Sequence, residues 1–472
     1  MPPSRPPRAQ PPEPLSPVEK LLVAQTLAVV IASSWLGGGR AAGALALSLA
    51  LVALTLPLWL LARRENLRPH WCALLPAGLW VVFVGLALLN PSHVVGADGA
   101  WHERAGWLHW LPTTADRAHA IAGALPWLTA LVQGAALAGL PLSSRAGRVL
   151  WSGIALNGFA LATVGAGFHF LGADRMLGAF DVPEPTYFFA TFYYKNHWAA
   201  YGALGGIAGA TLAALAWPAA LAGQPAARGR VFFFGSTALL TLCTLPLPGS
   251  RAGLLLAAAI VAGFAVWASA HLSKSVGARS RRWGMALLAA LVLAVAGFVA
   301  RFYLERGRTD FARTQQQLAR HAAGGMLDLR VELTRDTWHM AQARPWFGWG
   351  VGCYEIVFPV FQGGYLRDAN GRSTARFEFA HNDWLQILAE NGWFGAALLL
   401  GAAGAAAVRN WREAGAAGRL ALAGASLLLL YAWIDFPFHN PAVLLLWTVL
   451  VVTAGRLQRR ASEQSARTVS SR

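Results

Sequence analysis

The sequence predicts an all-α polytopic membrane protein. It should have about twelve transmembrane helices and one large external helical loop between spans nine and ten. Three observations carry that prediction. Of the 472 residues, 56% are hydrophobic and only 13% charged, whereas an ordinary soluble chain has about a quarter charged. The apolar residues gather into runs of roughly 18 to 25, the length that crosses a hydrocarbon core. One long segment, residues 304–382, interrupts those runs with polar and charged sequence.

Taken in order, residues 1–17 are proline-rich and read as a disordered cytoplasmic tail. The spans fall near 18–36, 42–61, 70–90, 120–140, 149–170, 197–220, 231–247, 252–270 and 284–303, then 383–407, 419–434 and 440–456. Residues 18–303 and 383–456 thus form the membrane domain, and 457–472 form a second polar tail. The first span lacks the short apolar core and small-residue cleavage site of a signal peptide. Span 231–247 is closed early by Pro246 and Pro248.

The formal charge of +17 could suggest nucleic acid, but its distribution argues otherwise. With an internal N-terminus, the cytoplasmic segments hold 22 of the 39 Lys and Arg residues and the short external segments six, so the excess is a topology signal. Both termini are expected to be cytoplasmic, and nucleic acid is not an expected partner. Cys72, Cys243 and Cys353 make neither a disulfide framework nor a zinc-binding spacing.

Three external segments are long enough to matter. Residues 91–119 carry Trp101, Trp107 and Trp110, read as an interfacial aromatic belt. Residues 171–196 end in Lys195-Asn196. In the long loop, one helix is expected near 310–322, stopping at Gly324-Gly325. A second is expected near 326–343, with Met326, Leu329, Leu333 and Met340 at helical spacing. The following Gly348-Trp349-Gly350-Val351-Gly352 is a tight turn rather than a nucleotide loop, because no βαβ unit surrounds it.

His381 stands where this loop re-enters an apolar helix. The run His381-Asn382-x-x-Leu385, then Glu390-x-Gly392-x-x-Gly395, resembles the signature of the O-antigen ligase and polymerase superfamily of bacterial membrane glycosyltransferases. Other pieces agree in order: Lys195-Asn196-His197, Gly249-Ser250-Arg251-Ala252-Gly253, Arg330 through Trp338 to Pro345-x-x-Gly348-x-Gly350, and Asp435-Phe436-Pro437-x-His439-x-Pro441. The resemblance covers about residues 190–455.

What the resemblance implies is glycan transfer from an undecaprenyl-diphosphate carrier to an acceptor hydroxyl at the periplasmic face of the inner membrane. It implies no cofactor and no obligatory metal. The acceptor would be lipid A-core for a ligase, a glycan for a polymerase, or a protein for the third branch of the family. A ligase is the working choice. A lipid-linked glycan flippase is the rival from another class, but transporters place polar groups near mid-membrane, whereas these gather at the outer boundary.

Spacing leaves His381 two readings, a general base or a boundary residue capping its helix; the resemblance selects the base. Arg251, opening a span, is a candidate diphosphate clamp, because a guanidinium binds two phosphate oxygens and keeps its charge. The alternative is an arginine snorkelling to headgroups. Arg330 is the second clamp candidate; Arg335 lies about 140° around the same helix and cannot share its face. Lys195 is a third phosphate contact or an interfacial anchor. Asn196, Asn382, Arg372 and Arg376 are supporting candidates, with solvated loop charges the alternative for both arginines. Glu390, about 180° from His381, should meet another helix. Asp435 and His439 are read as a structural polar pair.

Overall fold

The computed structural model describes residues 14–41, 43–62, 71–95, 101–178, 180–182, 188–275, 329–363 and 376–458, together with residues 282, 297 and 301. The expected span 284–303, the expected helix 310–322 and Arg372 lie outside the described residues.

Sequence signals set where the helices begin. The first, α1 (Pro17–Trp35), opens with a reciprocal capping box between Ser16 and Glu19 and with proline at its first position. After it come α2 (Ala44–Ala53), α3 (Thr55–Ala62), α4 (Trp71–Leu89), α5 (Arg117–Gly139), α6 (Ser144–Phe170), α7 (Lys195–Leu221), α8 (Pro225–Thr244) and α9 (Arg251–Ser275). The loop region contributes α10 (Leu329–Ala343) and α11 (Tyr354–Phe361), and α12 (Asp383–Glu413), α13 (Ala416–Tyr431) and α14 (Pro441–Thr453) complete the chain.

Among the described residues, eight helices are long and apolar enough to cross a membrane, with α2 and α3 counted as one apolar segment. That is fewer than the twelve expected. The apolar segments α13 and α14 are short, and α8 starts at Pro225, earlier than expected, so that it takes in Arg228 and Arg230. The helical class also has a small exception: β1 (His93–Val95) pairs antiparallel with β2 (Trp101–Glu103).

The bundle is organised around α7, which is buried along most of its length. Small residues allow this. Gly158 of α6 and Gly205 of α7 let two backbones meet, since a Cβ on Gly205 would lie 3.3 Å from the Gly158 Cα. Buried polar groups tie the helices where hydrocarbon offers no partner. Asn157 donates to Ser34 Oγ (3.0 Å) and to the Tyr201 hydroxyl (2.8 Å), and accepts from Trp35 Nε1 (2.8 Å).

The expected turn after α10 is present, and its glycines at 348, 350 and 352 all have positive φ. It lies against a break in α12. Gly392 has φ 62° and ψ −177°, a combination essentially reserved for glycine. Around that break, Trp349 N–H donates to Ala389 O (3.0 Å), Gly350 N–H to Glu390 O (2.8 Å) and Trp393 N–H to Pro345 O (2.7 Å). The Glu390 side chain, expected to meet another helix, accepts from Gly352 N–H in this turn at 2.9 Å and from Tyr354 N–H at the start of α11 at 3.4 Å. Trp107 joins the same region rather than standing alone as a belt residue: the Arg344 guanidinium lies over both its ring (4.7 Å) and that of Trp349 (3.9 Å).

A Cβ at Gly392 would approach the Trp346 carbonyl carbon to 2.3 Å. Gly392→Ala is therefore expected to destabilise the protein by at least about 1–3 kcal/mol, read as a lowered unfolding temperature of the purified protein in detergent.

Candidate functional site

Three motif segments far apart in sequence meet at one carboxylate. At the start of α9, Gly249 turns the chain at φ 80°. Ser250 Oγ then accepts Gly253 N–H at 2.9 Å, the geometry of a helix N-cap. The same hydroxyl donates to Asn196 Oδ1 at 2.7 Å. Asn196, in the first turn of α7, donates onward to Asp435 Oδ2 and to the Tyr194 hydroxyl (2.8 Å). Asp435, between α13 and α14, also accepts the Tyr431 hydroxyl at 2.8 Å.

His381 faces this carboxylate, its Nδ1 3.8 Å from Asp435 Oδ1. That separation exceeds a hydrogen bond, and Nδ1 has no hydrogen-bond partner in the structure. The residue holds φ 52°, a left-handed conformation uncommon for a side-chain-bearing residue but better tolerated by histidine than by most. Flanking bonds fix it there: Ala380 N–H donates to Gln386 Oε1 (2.9 Å), and Asn382 Oδ1 accepts Leu385 N–H (3.1 Å). Asn382 is thus the N-cap of α12, and His381 is not. The imidazole is partly exposed and stands edge-on to Phe436, with centroids 4.8 Å apart.

Electrostatics support a charged Asp435. Burial alone raises its carboxyl pKa, but the His381 imidazole, the Tyr431 hydroxyl and His197 outweigh that effect and hold it below the usual carboxylate range. Tyr194 shows the reverse: burial and the Asp435 charge push its phenol up, with Arg330 opposing them. Arg330, exposed near the start of α10, therefore acts on the same cluster.

Of the residues anticipated from sequence, the structure gathers Asn196, His381 and the helix start carrying Arg251 around Asp435. It sets Lys195 beside Asn196 as the first residue of α7 and brings the Arg330 charge to bear on Tyr194. Arg376 instead pairs with Glu355 at 2.7 Å. Arg335 pairs with Glu332 and Asp336 on its own helix. The expected Asp435–His439 pair does not form. The turn Pro437–His439 gives His439 to Asp383, and Asp435 is satisfied by Asn196 and Tyr431. Two contributors were missed. Tyr194 precedes the Lys195-Asn196 motif, and Arg40, one of the six basic residues of the short external segments, pairs with Glu378 and lies over Phe379 at 5.0 Å.

Cys353 is no candidate nucleophile, because burial pushes its thiol up to about 12. Among the described residues no group of three or more His, Cys, Asp or Glu is placed to hold a metal.

Residues 236–400 match the family model described as O-antigen ligase. The match supports the O-antigen ligase superfamily. It takes in Arg251, Arg330 and His381, and the cluster joins this matched segment to Asn196 and Asp435, which lie outside the matched residues. No curated protein matches the chain.

Because the folded value of Asp435 is depressed, its contribution to stability is complete above the ordinary aspartate value of about 4. It is lost as pH falls through the lower folded value. Thermal unfolding followed between about pH 3 and pH 7 should fall at the acid end in the unaltered protein, and Asp435→Asn should flatten that fall.

Proposed function

We propose that the protein is an O-antigen ligase-like membrane glycosyltransferase. It would move a glycan from an undecaprenyl-diphosphate carrier to an acceptor hydroxyl at the periplasmic face of the inner membrane. The observation that carries the reading is the hydrogen-bonded path from Ser250 through Asn196 to Asp435, with His381 3.8 Å beyond. It puts the helix start bearing Arg251 and the imidazole at one end of the bundle. The family match supports the same reading at the level of the family.

In this mechanism His381 is the general base. Asp435 faces Nδ1 and remains ionised, so it favours the Nδ1–H tautomer and leaves the Nε2 lone pair to take the acceptor's proton. The acceptor oxygen forms a bond to the anomeric carbon. The bond from that carbon to the diphosphate oxygen breaks, and its electron pair leaves with the lipid diphosphate. The imidazolium left behind is stabilised by the adjacent Asp435 charge. Arg251 and Arg330 bind the diphosphate oxygens, with Lys195 adding a point charge, so negative charge gathering on the leaving group meets fixed positive charge. Asn196 acts through Asp435, and Asn382 through the helix it caps; both are positioning residues.

The test is reconstitution in liposomes with a lipid-diphosphate glycan and separate lipid A-core, sugar and peptide acceptors. His381→Ala should lower turnover by about 10²- to 10⁴-fold while carrier binding persists; unchanged turnover would remove the base assignment. Arg251→Ala should weaken carrier binding and lower the rate by about 10²-fold. Normal binding and rate in that variant would exclude the clamp. Product on the lipid A-core acceptor alone is the outcome expected of a ligase.

A further inference from the structure

A second imidazole–carboxylate pair lies at the other end of a row of rings. From His381 the row runs to Phe436, then to Phe379 stacked on it (4.5 Å, 12°), then to His439 (5.7 Å from Phe379). His439 Nδ1 contacts the fully buried Asp383 carboxylate, whose other oxygen accepts Phe438 N–H at 2.8 Å. With Nδ1 so engaged, Nε2 is the remaining polar position of the ring. It is buried and has no hydrogen-bond partner, and Glu390 Oε2 lies 4.0 Å away, beyond hydrogen-bond reach. The His439 side chain is only 9% exposed. A buried polar atom left unsatisfied costs about 1–3 kcal/mol, so this one calls for an occupant.

The space for an occupant exists. His439 and Glu390 line a cavity of about 260 Å³ together with Arg40, Glu355, Glu378 and Gln386. Exposure orders its walls: the Glu378 side chain is 50% exposed and Glu355 31%, which puts them at the mouth, while Glu390 at 2% and His439 form the floor. Trp127 and Phe379 supply aromatic walls. Three carboxylates against one guanidinium, itself paired with Glu378, make a poor site for phosphate or any other anion. The size is just below the roughly 300–1,000 Å³ of common small-molecule sites, and the polar floor is unsuited to a lipid chain. What these groups match is a neutral ring bearing many hydroxyls. Carboxylates and an imidazole nitrogen accept from hydroxyls, Arg40 and Gln386 donate to them, and aromatic surfaces cover the apolar ring faces.

We propose that this cavity is a saccharide subsite that seats one uncharged sugar residue, with His439 Nε2 and Glu390 on its hydroxyls. The proposal rests on the glycosyltransferase reading and extends it: the ring row separates a sugar-binding compartment from the Asp435–His381 side. The sugar belongs to the donor glycan or to the acceptor, and the chemistry of recognition is the same for both.

The experiment is saturation-transfer NMR on the full chain in detergent micelles. One probe is the core oligosaccharide released from lipopolysaccharide, and the other is the glycan released from the donor diphosphate. Saturation transfer to either is expected, and the one that binds identifies the source. Ala122→Trp, which fills the cavity from α5 without removing a polar group, should abolish the signal. His439→Asn should weaken binding about tenfold, the change given by losing one buried hydrogen bond. Undecaprenyl diphosphate without sugar should bind both variants as it binds the unaltered protein. Absence of saturation transfer to both probes, or undiminished binding to Ala122→Trp, overturns the subsite. The readout needs no turnover, so the two proposals fail separately. Unchanged transfer by His381→Ala removes the base while leaving sugar binding in place, and unchanged sugar binding by Ala122→Trp removes the subsite while leaving the base.

Discussion

A buried carboxylate that must stay charged is the constraint on which the rest of this architecture depends. Taking an ion like Asp435 out of water costs several kcal/mol, returned only when donors surround it. The groups that face it come from separate places: Asn196 donates from α7, Tyr431 donates from the end of α13, and the His381 imidazole stands 3.8 Å away on the loop before α12. Satisfying one charge therefore fixes the relative placement of three helices at one end of the bundle. Asn196 extends the constraint to a fourth through Ser250, which also caps α9. The motif residues are spread along the chain because the requirement is spatial, and each segment supplies one group to it.

The helices were legible because their signals are local. Apolar runs mark their bodies, and residues such as Ser16, Glu19 and Asn382 mark their starts through bonds to backbone three positions away. The glycine-rich turn was legible for the same reason. The partner of Asp435 was not. Sequence proximity pointed to His439, but the turn between them places Phe436 against His381 and sends His439 to Asp383. Asn196, 239 positions earlier, takes its place. Arg40 was illegible in the same way: nothing near it in sequence announces Glu378, which is 338 positions distant. Arg376, read as a possible phosphate contact, found a carboxylate in α11. Charge and spacing indicate which residues can do chemistry, while the choice of partner belongs to tertiary packing.

The two imidazole–carboxylate pairs differ in ways that suit different tasks. His381 is partly open and stands just beyond hydrogen-bond distance of its carboxylate, so that contact does not lock its ring. His439 is enclosed and in direct contact with Asp383 at the head of α12, which fixes the ring in orientation. The stacked rings of Phe436 and Phe379 lie between the two pairs.

The break at Gly392 links loop and membrane helix mechanically. Pro345, Trp349 and Gly350 clasp the backbone of α12 on both sides of the break, so the segment from His381 to Asn391 is held by the loop as much as by the helix that continues beyond it. That segment begins at the imidazole and ends at the break at Gly392. The position of the imidazole is therefore set by how the loop packs as well as by the helix that follows it.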